Sequence, residues 1–126
     1  MKPNRIIVAG SRTFADYALL DRKLTHILQR LTPDDTAIVS GLARGADLMG
    51  KRWAEEHGFD VLPFPANWYP RGKSGGLDRR AGFIRNEEMA AIATHLIAFW
   101  DQKSHGTFNM IQEARARGLK VVVVRF

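Results

Sequence analysis

Asn4-Arg5-Ile6-Ile7-Val8-Ala9-Gly10-Ser11-Arg12 reads as a strand that breaks into a glycine turn. Residues 4–9 are apolar on both parities, the signature of a strand covered on both faces, and such strands belong to parallel sheets with helices above and below. Val121-Val122-Val123-Val124, inside a fifth strand at 119–126, repeats the unbroken apolar run and reads as another buried parallel strand. The chain between them supplies the crossovers. Tyr17, Leu20, Leu24, Ile27, Leu28 and Leu31 recur at a three-and-four spacing, with Asp16 as N-cap and Pro33 just past the end, which predicts an amphipathic helix. Thr36 to Ser40 is a second strand closed by Gly41. Ala46, Met49, Gly50, Trp53, Ala54 and His57 mark a second helix ending at Gly58, and Phe59 to Phe64 is a third strand ended by prolines. Residues 65–77 carry two prolines and three glycines, a structureless connection of the kind that serves as a lid or binding loop. A third helix from Asp78 or Arg80 to Ala93, a fourth strand from Thr94 to Trp100 and a fourth helix from His105 to Arg117 complete the series. Five strands alternating with helices predict an α/β Rossmann-like three-layer sandwich. It would be one domain over 1–126, with a mainly parallel sheet in the order 3-2-1-4-5.

The 126 residues, 45% hydrophobic and 25% charged, suffice for one core without covalent staples. The chain has no cysteine. Thiol nucleophiles, Cys-ligated zinc and iron–sulfur clusters are thereby excluded, and a cytoplasmic protein is the expectation. Apolar runs of only a few residues give no membrane span. The four histidines lack metal-site spacing, so neither a metal nor a cofactor is expected. Nineteen Lys and Arg against 13 Asp and Glu give a net charge of +6, which favours anionic partners. Much of that excess is local, since Arg71, Lys73, Arg79, Arg80 and Arg85 face only Asp78 within fifteen residues.

In a sheet of this order the ligand crevice lies beyond the carboxyl ends of the strands, between strands 1 and 4 where the winding reverses. Four polar or glycine-bearing segments fall at that edge: Gly10-Ser11-Arg12, Ser40 to Asp47, the basic loop ending in Arg85-Asn86, and Asp101 to Thr107. Glycine lets backbone amides approach an anion, and a helix N-terminus presents unpaired N–H groups with partial positive charge, so a phosphate suits these turns. The candidate ligand-binding residues are Gly10, Ser11, Arg12, Ser40, Gly41, Arg44, Gly45, Asp47, Trp68, Arg85, Asn86, Trp100, Ser104, Gly106 and Thr107. Trp68 and Trp100 are placed to stack on a base, and Asp47 or Asp101 to meet sugar hydroxyls. Simpler roles stand beside these: Gly41 and Gly45 as turn residues, Asp47 as a helix-start residue, Asp101 as a turn or cap. Gly45 to Lys51 mimics a P-loop, but Arg52 stands where the magnesium-binding hydroxyl is needed and Gly50 falls inside a helix.

Taken together, Gly10-Ser11-Arg12 with Phe14 and Asp16, Ser40 to Asp47 followed by Trp53-Ala54, Ile84-Arg85-Asn86 with Met89, and Ala98 to Asp101 with Ser104 to Thr107 resemble the YspA-type branch of the SLOG superfamily. The resemblance implies a Rossmann-like fold, often a homodimer, that binds or senses a nucleotide-derived ligand. Relatives include the LOG-type lysine decarboxylase-like proteins, which hydrolyse the N-glycosidic bond of nucleoside monophosphates, and DprA, which binds single-stranded DNA. The LOG-type pattern has a glutamate region just after its Gly-Thr turn, whereas Phe108-Asn109-Met110 brings no carboxylate here. Phosphate and sugar binding therefore carry over more readily than hydrolysis.

The leading expectation is a binding domain for a nucleoside monophosphate or an ADP-ribose-like phosphate ester. A nucleotide N-glycosidase with Asp101 or Asp47 as its catalytic carboxylate is the second reading. Single-stranded nucleic-acid binding through Arg71, Lys73, Arg79, Arg80 and Trp68 is the third, because only Trp68 and Tyr69 accompany the basic loop where a tracking groove wants more stacking platforms.

Overall fold

A computed structural model describes residues 1–126. Five strands, β1 (Asn4–Gly10), β2 (Thr36–Ser40), β3 (Asp60–Pro63), β4 (His95–Trp100) and β5 (Lys120–Arg125), form one sheet in the order β3-β2-β1-β4-β5, with every pairing parallel. The helices are α1 (Tyr17–Ile27), α2 (Ala46–Glu56), α3 (Ala81–Ile92) and α4 (His105–Ala116). None is long and apolar enough to cross a membrane.

The double-sided apolar pattern of β1 has a direct structural cause. Ile6 and Val8 point into one core with Leu20, Leu24 and Trp53 of α1 and α2, while Ile7 and Ala9 point into a second core with Met89, Met110 and Ile111 of α3 and α4. β4 repeats the division, with Ile97 and Phe99 on the first side and Leu96 and Ala98 on the second. Each large side chain so buried contributes about 1.5–3 kcal/mol of transfer free energy, so the two central strands anchor both layers.

Three elements differ from the sequence expectation. α1 ends at Ile27, although the apolar stripe runs to Leu31. Leu28 and Leu31 still pack on the first core, but from a turn, because the residue before Pro33 resists helical geometry and Asp35 Oδ1 accepts from the Thr32 N–H at 2.9 Å. β5 is half-exposed instead of buried. It is the sheet's edge, Val122 is 40% exposed, and Lys120 and Arg125 flank the run as charges that discourage edge-to-edge pairing. Inside the 65–77 connection, Lys73–Gly75 forms one 3₁₀ turn.

Two non-glycine residues adopt left-handed backbone, Leu42 (φ 61°) after β2 and Gln102 (φ 66°) after β4, both at the carboxyl edge. Such strain concentrates at functional loops. Gln102 is exposed, so Gln102→Gly is expected to raise stability by about 0.5–1 kcal/mol, read as a higher urea midpoint; an unchanged midpoint would refute strain at that residue.

Candidate functional site

β1 and β4 end side by side, and the turns that leave them are bound together. The Ser11 N–H donates to the Phe99 carbonyl at 2.9 Å, the Asp101 N–H donates to Ser11 Oγ at 3.1 Å, and Ser104 Oγ lies 2.9 Å from Ser11 Oγ. Ser11 is buried by these contacts. The loop after β2 packs against the same turn, since a Cβ placed on Gly45 (φ 85°) would come within 2.5 Å of the Ser11 carbonyl oxygen.

Asp47, in the first turn of α2, is buried against this turn and accepts from the Gly10 N–H at 3.3 Å. Burial pushes its carboxyl up to about 6, against the opposing pull of the Arg85 guanidinium and the Ala43 and Gly10 amides. Arg85 reaches over from α3. Its Nη1 donates to the Gly41 carbonyl at 2.6 Å and its Nε to Asn86 Oδ1 at 3.1 Å. Asn86 is itself held by α4, donating through Nδ2 to the Gly106 carbonyl at 3.2 Å and to Asn109 Oδ1 at 2.9 Å. A Cβ on Gly41 would meet Arg85 Nη1 at 2.5 Å and Asp47 Oδ2 at 2.7 Å, so a glycine there is what leaves both charged groups room beside the turn.

These elements enclose a cleft of about 270 Å³ between the ends of β1 and β4. Its polar lining includes Gly10, Ser11, Arg12, Asp47, Arg85, Asn86, Ser104, Gly106 and Thr107. Ser104 makes no side-chain cap, so the first N–H groups of α4 carry no intrahelical or side-chain partner. Arg12, Arg79 and Arg85 line the cleft against the single carboxylate Asp47, which leaves a net positive field. A wider groove of about 430 Å³ adjoins it, sharing Arg12, Trp68 and Arg85 and extending past Gly41 and Arg44 to Pro65 and Ala66. The Arg12 guanidinium lies 5.9 Å from the centre of the Trp68 ring, at the boundary between the two.

Other candidates lie elsewhere. Ser40 Oγ donates to the Asp47 carbonyl at 3.0 Å and accepts from the Leu42 N–H at 3.2 Å, a buried turn contact outside both grooves. Trp100 stacks on Phe108 (5.8 Å between centroids) and donates through Nε1 to the Ser104 carbonyl, so its ring braces the turn and lines neither groove. Asp101 Oδ1 accepts from the Lys103 and Ser104 N–H groups at 2.9 and 2.8 Å and from Ser104 Oγ at 3.0 Å. Those amides hold its carboxyl down at about 2, and Asp101 lines neither groove. Asp47 is left as the only carboxylate on the cleft wall. The P-loop mimic is dismissed by position, because Gly50 packs inside α2 against Val8.

Reading the sequence misses Thr13, Gly82, Phe83 and Met110 as lining residues and Asn109 as the partner of Asn86, and it names Arg79 only as a nucleic-acid contact. Phe83 does carry a signal, since it falls off the buried stripe of α3 formed by Ala81, Asn86, Met89 and Ala90.

The family model described as YspA, cpYpsA-related SLOG family matches residues 4–69. The gene 61 protein of Mycobacterium phage D29 is 36% identical over 94% of each chain. Among solved structures, the DNA processing protein A of Streptococcus pneumoniae superposes with a TM-score of 0.72 at 20% identity, covering 97% of this chain and 50% of that one. The protein of the same name from Helicobacter pylori, solved for its single-stranded DNA binding mode, gives 0.69 at 18% identity, covering 97% and 65%. This chain thus spans half to two thirds of those structures, and at such identities the likeness is one of fold.

Proposed function

The chain belongs to the YspA, cpYpsA-related SLOG family, and we propose that it binds a nucleotide-derived phosphate ester, such as a nucleoside monophosphate or an ADP-ribose-like ligand, in the cleft between β1 and β4. One observation carries this reading: Ser11, Arg85, Gly106 and Thr107, from the turn after β1, α3 and α4, line a single cationic cleft at the sheet's carboxyl edge. Gly106 sharpens it. A Cβ there would meet nothing within 4 Å and its φ is not left-handed, so neither packing nor backbone geometry asks for glycine, whereas close approach of an anion to a helix N-terminus does. In this arrangement the α4 amides and Thr107 Oγ1 donate to phosphate oxygens, and Arg85, pinned by Gly41 and Asn86, supplies the charge at little entropic cost. Calorimetry with a panel of nucleoside monophosphates and ADP-ribose is expected to show a dissociation constant well below about 1 mM for at least one ligand. Arg85→Ala should weaken it by about tenfold to a hundredfold, the worth of a hydrogen bond to a charged group. No binding across the panel, or binding indifferent to Arg85→Ala, refutes the proposal.

A second reading has its own observation. Arg71, Lys73, Arg79 and Arg80 are all exposed beside Trp68 and exposed Tyr69, and the fold is that of a protein described as binding single-stranded DNA. Under this reading an oligonucleotide binds more tightly than any mononucleotide, and its affinity falls at least about tenfold between about 50 and 200 mM salt. A salt-insensitive oligonucleotide affinity excludes it.

A further inference from the structure

The cleft proposed for the phosphate also has an apolar lining. Trp68, Gly82, Phe83 and buried Met110 line it alongside Ser11, Arg85 and Thr107. Trp68 is held at its backbone and has a cation beside its ring. Its backbone carbonyl accepts from the Asp78 N–H at 2.7 Å, which ties the loop to the start of α3, and the Arg12 guanidinium lies 5.9 Å from the ring centre.

Gly82 sits in the first turn of α3, where alanine would favour the helix. Its φ is not left-handed, and a Cβ built on it would make only ordinary contact, 3.4 Å from Trp68 Cη2 and 4.0 Å from Arg85 Nη2. The fold therefore has no need of a glycine here; what the missing side chain leaves is room between the edge of the indole and the Arg85 guanidinium. Phe83 follows at once and is 44% exposed, outside the buried stripe of its helix. A large apolar side chain that contributes nothing to the core, next to a glycine that the backbone does not require, on the wall of a cleft also lined by guanidiniums, marks a place for a flat group that can stack.

We infer that Trp68, Gly82 and Phe83 form a slot for a planar heterocyclic ring, so that the ligand is a nucleobase-bearing phosphate ester and not a bare sugar phosphate. This rests on the phosphate-binding reading above. The charged side chains around the slot are all guanidiniums: Arg79 on the cleft wall, Arg12 at 5.9 Å from the Trp68 ring centre, and Arg85, whose Nη2 lies 4.0 Å from a Cβ built on Gly82. Purines, which offer the larger stacking area, bind somewhat tighter than pyrimidines.

The test titrates ribose 5-phosphate, AMP and CMP into the wild type and into Phe83→Ala, Phe83→Leu and Gly82→Leu, with thermal melting to confirm folding. The wild type should bind AMP about tenfold to a hundredfold more tightly than ribose 5-phosphate, the range that stacking on aromatic side chains supplies. Phe83→Ala should shrink that ratio severalfold without changing ribose 5-phosphate affinity. Phe83→Leu, which keeps apolar area but removes the π face, should fall between, and Gly82→Leu, which fills the slot, should abolish the preference for AMP. Equal wild-type affinities for ribose 5-phosphate and AMP overturn the slot while leaving phosphate binding intact, as does a Phe83→Ala effect equal on both ligands. Failure of all three ligands and of ADP-ribose to bind overturns both readings together.

Discussion

Gly10→Ala is expected to lose about 4 kcal/mol or more of folding stability, enough to remove most of the margin of an ordinary domain. Gly10 pairs with Phe99 in the β1–β4 register. A Cβ at position 10 would collide with the Phe99 carbonyl oxygen and lie 2.8 Å from Ala46 Cβ. Neither neighbour can yield cheaply, because Phe99 is fully buried on a central strand against Phe14 (4.8 Å between centroids) and Ala46 is fully buried at the start of α2. Relief requires moving β4 or α2 away from β1, which would break the Ser11 N–H to Phe99 bond and leave buried backbone groups unpaired. Gly10 does not have a left-handed φ, so the cost is one of space alone. Gly118 is the complementary control. It has φ 75° with nothing within 4 Å of a built Cβ, and Gly118→Ala should lose only the 1–2 kcal/mol of a left-handed residue. Urea denaturation of the two variants settles the point: a Gly10→Ala loss no larger than that of Gly118→Ala would show that β1 and β4 are not locked through this contact. Because the same contact sets the distance between the two strand ends, any folded Gly10→Ala protein should also have an altered cleft.

The glycines show where reading the chain succeeds and where it stops. Their clustering at the carboxyl edge is visible in the one-dimensional pattern, because strand periodicity and topology together say which loops share that edge. What each glycine is for depends on what stands opposite it. Gly10 and Gly45 face backbone, Gly41 faces the Arg85 and Asp47 side chains, and only Gly82 and Gly106 of the cleft glycines open onto unfilled or lightly touched space. Side-chain direction is hidden for the same reason. Asp101 and Trp100 lie on the correct loop, but local turn hydrogen bonds and the Phe108 ring claim them, and nothing in the spacing of residues 100–108 distinguishes a carboxylate aimed at a ligand from one closing its own turn. Strand ends are legible to within about a residue, since double-sided burial forces apolar runs. The end of α1 is not, because Leu28 and Leu31 pack equally well from a turn as from a helix.

Asp47→Asn should stabilise the protein at neutral pH, by an amount that depends on pH in a defined direction. The carboxyl of Asp47 is pushed up to about 6 from an ordinary value of 3.8 by burial, with Arg85 only partly offsetting that penalty. Below about pH 4 it is protonated in folded and unfolded chains alike and costs nothing. Between about pH 4 and 6 the unfolded chain has released the proton while the native protein still holds it, so stability falls with rising pH by about 1.4 kcal/mol per unit. Above about pH 6 both states are ionised and the loss stands at about 3 kcal/mol. The asparagine variant has no such charge to bury, so its urea midpoint should exceed the wild type's at pH 7, and the advantage should shrink to nothing near pH 4. A fold that retains a carboxylate at this cost does so at a site where the charge is used, and the variant separates two uses. If Asp47 is an internal counter-ion that occupies Arg85 until an anion arrives, Asp47→Asn should bind ADP-ribose about fivefold to tenfold more tightly than the wild type at pH 7.5. Wild-type affinity should then rise toward that of the variant as the pH falls to 5. ADP-ribose is the right probe because its diphosphate keeps its charge over that range, and any pH effect unrelated to Asp47 cancels in the comparison of the two proteins. If instead Asp47 accepts hydrogen bonds from sugar hydroxyls, the variant should bind more weakly than the wild type at pH 7.5. The sign of that single difference decides whether the buried carboxylate competes with the ligand or holds it.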